Sequence, residues 1–224
     1  MTSDPATDST ALGDDRAQAL ALTPVSRETL ALLDRYVAML LDVQRHTNLI
    51  APSTIPIIWT RHIADSLQLL TLVPDAATWI DLGSGAGLPG IAIACAIKER
   101  EGASVHLVES NKKKAAFLQT VVQELQLPAT VHPVRIEDYV KKLPDRPNVV
   151  TARALAPLDV LLGYAHPILE RGATGLFLKG QDVEGELTNA AKYWKMKPDL
   201  VPSRTNPLSR IVIIREIERR RVKR

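Results

Sequence analysis

Cysteine is almost absent from this sequence of 224 residues, which contains only Cys95. A single cysteine cannot build a disulfide framework or a cysteine zinc site within the chain, so we expect a reducing compartment and no bound metal. Cys95 lies inside the apolar run 91–97, and this position predicts a buried packing role.

Long apolar runs are missing as well. No run approaches the roughly 18 residues that a membrane span requires, although 46% of the residues are hydrophobic. A chain of this length and composition can bury the core of one larger globular domain. We therefore expect a soluble cytoplasmic protein without a membrane partner.

Aromatic residues number nine, and none belongs to a run in which basic and aromatic side chains alternate. This argues against a stacking platform for single-stranded nucleic acid, so any such ligand would be recognised through charge and shape. Basic clusters at 112–114, 141–142 and 219–221 could meet phosphates, or they could be solvated helix faces and a tail.

The net charge of +3 is small but unevenly distributed, because residues 1–15 carry −4 and residues 215–224 carry +4. Residues 1–12 have too little apolar content to pack, so we expect a disordered leader there. Residues 13–75 are expected to form an N-terminal helical cap, 76–217 an α/β domain, and 218–224 a basic tail. Within the cap, apolar spacing predicts helices over 26–43, capped by Ser26, and over 57–72.

From residue 78 onward, short β-rich runs alternate with helical segments, which is typical of a parallel sheet covered on both faces. We predict strands at 78–82, 104–108, 130–134, 148–151, 173–178, 197–201 and 209–215. We predict helices at 91–98, 112–125, 137–142, 157–169 and 183–194. The loop between the last two strands is too short for a crossover helix, so these strands should pair antiparallel.

The stretch 79–90 combines a strand, a carboxylate and a glycine turn that leads into a helix. Glycines at positions 83, 85 and 87 allow positive φ and let a nucleotide-like ligand approach the backbone. Residues 85–90 also form a G-x-G-x-x-G, so the glycines alone leave a dinucleotide site open. Glu109, twenty-six positions after Gly83, ends the second strand and could accept hydrogen bonds from ribose hydroxyls.

NAD and S-adenosylmethionine both carry such a ribose. Asp81, a carboxylate before the first glycine, and the antiparallel terminal hairpin favour S-adenosylmethionine, because its charged amino-acid end needs a carboxylate. It also has no pyrophosphate that would need a phosphate cradle.

The sequence from about residue 48 to residue 214 resembles the class I methyltransferases, and specifically the RsmG (GidB) family of small-subunit rRNA methyltransferases. The resemblance rests on the following ordered set of motifs: Asn48 and Leu49, Arg61 to Ser66, Asp81 to Gly90, Glu109 and Ser110, Lys113, Phe117 and Leu118, Arg153 and Ala154, Leu178 to Gly180, and Arg210 to Ile213. The basic extension beyond Ile217 lies outside it.

This resemblance implies a Rossmann-like, mostly parallel seven-stranded sheet with an antiparallel terminal hairpin and an N-terminal helical cap. It implies methyl transfer from S-adenosylmethionine to N7 of guanine 527 in the 530 loop of 16S rRNA, with naked rRNA or a partly assembled small subunit as partner and a monomer as the working state. Cofactor contacts implied by position are Gly83, Leu88, Ile136, Glu137 and Arg153, to which the residues themselves add Asp81, Gly85 and Glu109.

No catalytic acid or base is expected, because guanine N7 has a free in-plane lone pair and loses no proton; alignment supplies the catalysis. His62 is therefore expected in a structural cluster with Asp65 and Ser66, or in contact with substrate. Further candidates for substrate contacts are Arg61, Lys113 and Lys179. Arg153 could hold a phosphate or the cofactor carboxylate, or form a structural salt bridge.

Two other functions stay open at this point. An NAD(P)-dependent oxidoreductase would use residues 85–90, but no Tyr-x-x-x-Lys or similar hydride-transfer set is evident. An RNA-binding scaffold with a relict nucleotide pocket would not need Asp81, Gly83 and Glu109 intact.

Overall fold

The computed structural model describes residues 5–143 and 146–220, with residues 5–11 described by their backbone alone. The N-terminal part is helical. It consists of α1 (Pro5–Leu22), α2 (Arg27–Gln44), a 3-10 helix (Pro52–Ile57), a π-helical turn (Trp59–Ala64), the short α3 (Asp65–Leu67) and a second 3-10 helix (Gln68–Leu72).

The rest of the chain alternates strands and helices. The strands are β1 (Thr78–Leu82), β2 (Ser104–Val108), β3 (Ala129–His132), β4 (Val149–Arg153), β5 (Thr174–Lys179), β6 (Trp194–Met196), β7 (Asp199–Pro202), β8 (Arg210–Ile214) and β9 (Ile217–Arg219). The helices are α4 (Gly90–Ala96), α5 (Lys112–Leu125), α6 (Ile136–Tyr139), α7 (Leu158–Leu169) and α8 (Val183–Ala190), and a 3-10 turn (Val140–Lys142) follows α6.

Seven strands form one sheet in the order β3-β2-β1-β4-β5-β8-β7. The first five are parallel, and β8 pairs antiparallel with both β5 and β7, which confirms the predicted closing hairpin. The chain winds from β1 outward through β2 to β3, then returns to start β4 on the other side of β1. The crevice for a ligand is therefore expected where β1 and β4 end.

Apolar side chains of each strand alternate between the two faces of the sheet. In β1, Trp79 belongs to a first core that includes residues of α2, α4 and α5. Ile80 belongs to a second core, on the opposite face of the sheet, that includes residues of α7. Cys95 is 1% exposed within the first of these cores, so its predicted packing role is confirmed. Among the described residues, no helix has the length and apolar composition that a membrane crossing needs.

The helical cap agrees with the prediction for one helix and differs from it for the other. The helix predicted at 26–43 is present as α2, and the Ser26 hydroxyl caps it by accepting from the Thr29 N–H at 3.1 Å. The single helix predicted at 57–72 is wrong, because that segment divides into π, α and 3-10 turns.

The predicted chain ends also need correction. Residues 1–4 lie outside the described residues, but 5–12 belong to α1 and are not a leader without structure. Ala and Leu after position 16 are strong helix formers, and helix growth from them is cooperative. At the other end, the strand β9 takes in residues 218 and 219 of the predicted tail and pairs with β6. Residues 221–224 lie outside the described residues.

Candidate active site

The glycine turn lies at the carboxyl end of β1, beside the end of β4. Gly83, Gly85 and Gly87 have φ angles of +68°, +58° and +99°, which side-chain-bearing residues rarely adopt. The carbonyl oxygen of Val108 at the end of β2 accepts hydrogen bonds from the N–H groups of Gly83 and Ser84, at 2.9 and 3.0 Å. The turn is thus fixed to the edge of the sheet.

Space as well as conformation requires glycine here. A Cβ atom at Gly83 would lie 2.5 Å from Cδ1 of Leu155, in the loop after β4. A Cβ atom at Gly87 would lie 2.5 Å from Cγ1 of Ile91. The backbone of the turn is therefore the surface that a ligand would meet.

Glu109 holds the turn from the second strand. Its Oε2 accepts a hydrogen bond from the Gly85 N–H at 2.8 Å, and its Oε1 accepts one from the Asn111 N–H at 2.7 Å. Each carboxylate oxygen can accept more than one hydrogen bond, so the side chain keeps the capacity to receive ligand hydroxyls. This geometry fits the ribose role predicted from the sequence.

Asp81 lies beneath the turn and is completely buried. Its Oδ2 accepts from the Gly90 N–H at 3.2 Å, whereas Oδ1 has no hydrogen-bond partner among the described residues. Burial raises the pKa of Asp81 to about 7. The direct cofactor contact expected for Asp81 needs correction, because its carboxylate supports the start of α4 and borders none of the cavities described next.

Three adjoining cavities open along this edge of the sheet. We call the first the Glu109 cavity; it measures about 330 Å³ and is bordered by Gly83, Gly85, Glu109, Ile136 and Glu137. The second, the His62 cavity, measures about 350 Å³ and is bordered by Arg61, His62, Gly83, Leu88 and Arg153. The third, the Lys179 cavity, measures about 380 Å³ and is bordered by Arg61, Asp65, Arg153, Lys179 and Glu186.

Ala154 borders all three cavities. Its φ angle is +51°, an uncommon value for a residue with a side chain, which costs on the order of 1 kcal/mol. Backbone strain of this kind concentrates at functional sites, where the surrounding structure maintains it. The end of β4 is therefore the point at which ligands in neighbouring cavities would meet.

Arg153 separates the His62 and Lys179 cavities. Its Nη1 donates to the carbonyl oxygen of Arg61 at 3.2 Å and lies 3.9 Å from Oδ2 of Asp65. Burial lowers the pKa of the guanidinium, and the Asp65 carboxylate partly offsets this effect. Arg153 therefore forms the structural salt bridge that was one of the roles expected for it from the sequence. Its side chain also borders both cavities.

His62 is buried, and its partners differ from those predicted. Its Nε2 lies 2.8 Å from the Thr54 hydroxyl. Ser66 bonds to the carbonyl of His62 rather than to its ring, and Asp65 receives hydrogen bonds from Gln68, Ser203 and Thr205. Burial, together with Arg153 and Arg61, lowers the pKa of His62 to about 3, so the imidazole is neutral at physiological pH.

The two lysine candidates occupy different environments. Nζ of Lys179 lies 2.6 Å from Oε2 of Glu186 and donates to the Ala156 carbonyl at 2.7 Å, and the side chain is 9% exposed. Because this ammonium is buried and paired but borders the Lys179 cavity, the substrate contact predicted for Lys179 stays a prediction, and it concerns a group inside that cavity. Lys113 is exposed and borders none of the three cavities, whereas the neighbouring Lys114 borders two.

Comparisons with known proteins identify the family of this chain. A family model named GidB, described as rRNA small subunit methyltransferase G, matches residues 29–209. The chain belongs to the GidB family. The ribosomal RNA small subunit methyltransferase G of Bradyrhizobium sp. strain BTAi1 is 60% identical over 205 residues, which cover 92% of each chain. The protein of the same name from Bradyrhizobium sp. strain ORS 278 is 58% identical over 209 residues, covering 93% of this chain and 94% of that one.

Solved structures confirm the fold of this GidB family member. Magnesium protoporphyrin IX methyltransferase from Synechocystis PCC 6803, solved with S-adenosylmethionine, matches with a TM-score of 0.50 at 14% identity, over 87% of this chain and 100% of that one. The predicted class I architecture is therefore confirmed. That neighbour was solved with S-adenosylmethionine, the cofactor predicted from the sequence of this chain.

In this GidB chain, the structure brings most of the predicted site residues together. Seven of the eight predicted cofactor residues border the Glu109 or His62 cavity, and Asp81 is the exception. Sequence reasoning missed Ala154, Leu155 and Lys114. The position of Ala154 and Leu155 after a strand at the ligand edge was an available signal, but nothing in the sequence distinguished Lys114 from Lys113.

Proposed function

We propose that this GidB family member transfers the methyl group of S-adenosylmethionine to RNA of the small ribosomal subunit, at N7 of guanine 527 in the 530 loop of 16S rRNA. The observation that carries the proposal is the meeting of three cavities at Ala154. Two of these cavities contain the predicted cofactor residues, and the third leaves room for an acceptor base beside them.

In this proposal, the Glu109 cavity receives the adenosine of the cofactor. Glu109 accepts hydrogen bonds from the ribose hydroxyls, Ile136 packs against the adenine, and Glu137 lies at its edge. Leu88 and Arg153 border the adjoining His62 cavity, where the amino-acid end would lie and Arg153 would pair with its carboxylate. Asp81 acts indirectly by holding Gly90 and the glycine turn.

The acceptor guanine would occupy the Lys179 cavity. When bound, the cofactor supplies an electrophilic methyl group on a sulfonium, and transfer leaves a neutral thioether and a positive charge on the purine. The carboxylates of Asp65 and Glu186 border this cavity, where they pair with Arg153 and Lys179 and so reduce the positive potential that the methylated purine would meet.

No side chain needs to remove a proton, because N7 attacks through its free lone pair. His62 agrees with this chemistry, since its ring is neutral, buried and bonded to Thr54. We assign the residues of this site to alignment and charge stabilisation. We further propose that the protein acts as a cytoplasmic monomer on naked 16S rRNA or a partly assembled small subunit.

The dinucleotide alternative fits the turn less well. A pyrophosphate is normally bound by free N–H groups at the N-terminus of the helix that follows the glycines. Here the N–H of Gly90, the first residue of α4, faces the buried Asp81 carboxylate, and the N–H of Gly85 bonds to Glu109. The Glu109 carboxylate at this position would also repel a pyrophosphate.

The proposed function is tested by methyl transfer from labelled S-adenosylmethionine to purified 16S rRNA and to small subunits that lack the modification, with 23S rRNA as control. Borohydride reduction and aniline cleavage then locate N7-methylguanine. We expect label at one guanine of the 530 loop. Equal labelling of 23S rRNA would contradict the assignment of the substrate, and label that resists the cleavage chemistry would contradict N7.

A further inference from the structure

The N-terminal helix α1 lies outside residues 29–209, the part of the chain that the family model matches. It nevertheless packs on the cap, where Ala19 is 1% exposed within the first core. Arg16 forms two hydrogen bonds of 2.8 Å to the Asp34 carboxylate of α2, and its guanidinium lies 5.3 Å from the ring centroid of Trp59. This helix therefore has a fixed position against the π-helical turn that begins at Trp59.

Asp15 makes the most specific contact between α1 and this turn. The side chain is buried, and its Oδ2 accepts from the Trp59 N–H at 2.7 Å. Its Oδ1 accepts from the Thr60 N–H at 3.2 Å and from the Thr60 hydroxyl. These N–H groups belong to the first two residues of the π-helical turn, where backbone donors have no partner within the turn. The Asp15 carboxylate, which comes from another helix, accepts their hydrogen bonds and so caps the turn.

The turn needs such support, because π-helical geometry is rare and usually occurs as single turns at functional sites. Compared with an α-helix, it inserts about one extra residue per turn, which changes the direction of every side chain that follows. Arg61 and His62 lie within the turn, and Asp65 follows it directly. The carbonyl of Arg61 is also the acceptor for Arg153.

We propose that Asp15 is a positioning residue for the active site, which acts by holding the Trp59–Ala64 turn in its π-helical form. It thereby places Arg61 and Asp65 around the acceptor cavity and keeps Arg153 in position between the two cavities. The inference rests on the proposed function for its effect on methyl transfer, but the contact itself can be tested separately. It also assigns to α1 a role in the site that the matched family region does not include.

The test compares Asp15→Ala and Asp15→Asn in the full chain with two controls. Asp14→Ala changes the adjacent exposed residue of the same helix. Ile168→Val removes a methylene from the buried core on the opposite face of the sheet. It shows how much activity is lost through lower stability alone. Alanine favours a helix more than aspartate does, so a defect in Asp15→Ala cannot arise from weaker helix formation in α1.

For Asp15→Ala we expect kcat for RNA methylation to fall about tenfold through misplaced side chains. The Kd for S-adenosylmethionine should rise by a smaller factor than kcat falls, because the turn borders the cavity assigned to the amino-acid end of the cofactor but contributes nothing to the adenosine contacts. Hydrogen exchange of the amides of Trp59 and Thr60 should accelerate. Asp15→Asn keeps one good acceptor and should fall between Asp15→Ala and the unchanged protein, whereas Asp14→Ala should match the unchanged protein.

The proposal is overturned if Asp15→Ala loses no more activity than Ile168→Val, or if exchange at Trp59 and Thr60 is unchanged. If the unchanged protein itself methylates no ribosomal RNA, the proposed function has failed. The exchange measurement still decides in that case whether Asp15 holds the turn.

Discussion

The hydroxyl of Tyr36 donates a hydrogen bond of 2.8 Å to the carbonyl oxygen of Ala86. Tyr36 lies in α2 and is completely buried, and Ala86 lies between two glycines of the turn. Burial raises the pKa of the phenol well above its usual value, so Tyr36 is a donor at physiological pH. The helical cap therefore takes part in shaping the cofactor site.

Tyr36→Phe should weaken cofactor binding without changing the fold. The variant loses one buried hydrogen bond and leaves the Ala86 carbonyl without this donor, which costs about 1 kcal/mol. If this free energy is lost only from the cofactor-bound state, the Kd for S-adenosylmethionine rises about fivefold. Calorimetry measures this change, with the exposed Tyr193→Phe as control. An unchanged Kd would show that α2 does not control the turn.

Gly83→Ala should abolish measurable cofactor binding. The new Cβ combines a positive φ with a 2.5 Å approach to Leu155 Cδ1, so either the turn or the Leu155 side chain must shift, and both border the cavity that the cofactor needs. Gly102→Ala is the matched control, because its φ is +70° and no atom lies within 4 Å of its Cβ position. Both variants should lose stability, but only Gly83→Ala should lose binding. Equal affinities in the two variants would contradict the site.

The sequence predicted the sheet well because strand signals are local. Apolar runs that end in turn residues located 78–82 and 104–108 at the observed bounds, and the short connection of residues 202–207 required an antiparallel pair. Glycines and the following carboxylate likewise located the site, since turn geometry depends on residue type. These features depend on neighbours in the chain.

What the sequence did not predict depends on contacts between distant segments. The π-helical form of residues 59–64 is stabilised by Asp15, forty-four positions earlier, and the Tyr36 hydroxyl reaches Ala86, fifty positions later. The pairing of β6 with β9 joins two short segments that carry little strand signal of their own. Lys179 looked free in the sequence because its partner Glu186 lies in the next helix.

Asp81→Asn should reduce the pH dependence of stability. In the folded protein the pKa of Asp81 is raised to about 7, whereas the unfolded chain ionises near the ordinary value of about 4. Between these two pH values the folded state binds this proton and the unfolded state does not. The contribution of Asp81 to the free energy of unfolding is therefore lost as pH rises from about 4 through 7. Urea titrations from pH 5 to 8 measure the free energy of unfolding, which should decline less with pH in Asp81→Asn than in the unchanged protein. The exposed Asp75→Asn is the control. Parallel declines in all three proteins would show that the Asp81 pKa is not raised.

Lys113→Ala should flatten the salt dependence of RNA binding, because this exposed lysine lies in the first turn of α5, next to Lys114, which borders two of the cavities. Each lost phosphate contact lowers the slope by about 0.7 log units per tenfold change in salt for single strands. Lys179→Met should leave the slope unchanged but lower the melting temperature, since Glu186 loses its partner. Lys195→Ala, in β6, is the control. A slope that falls only for Lys179→Met would reverse our assignment of the two lysines.

The central claim, methyl transfer to a guanine N7, is tested most directly by changing that one atom in the RNA. A 530-loop substrate that contains 7-deazaguanine at position 527 has a C–H group in place of N7 and keeps its Watson–Crick edge. We predict that the unmodified RNA accepts a labelled methyl group, and that the 7-deaza RNA binds but accepts none. Transfer to both RNAs at the same rate would contradict it.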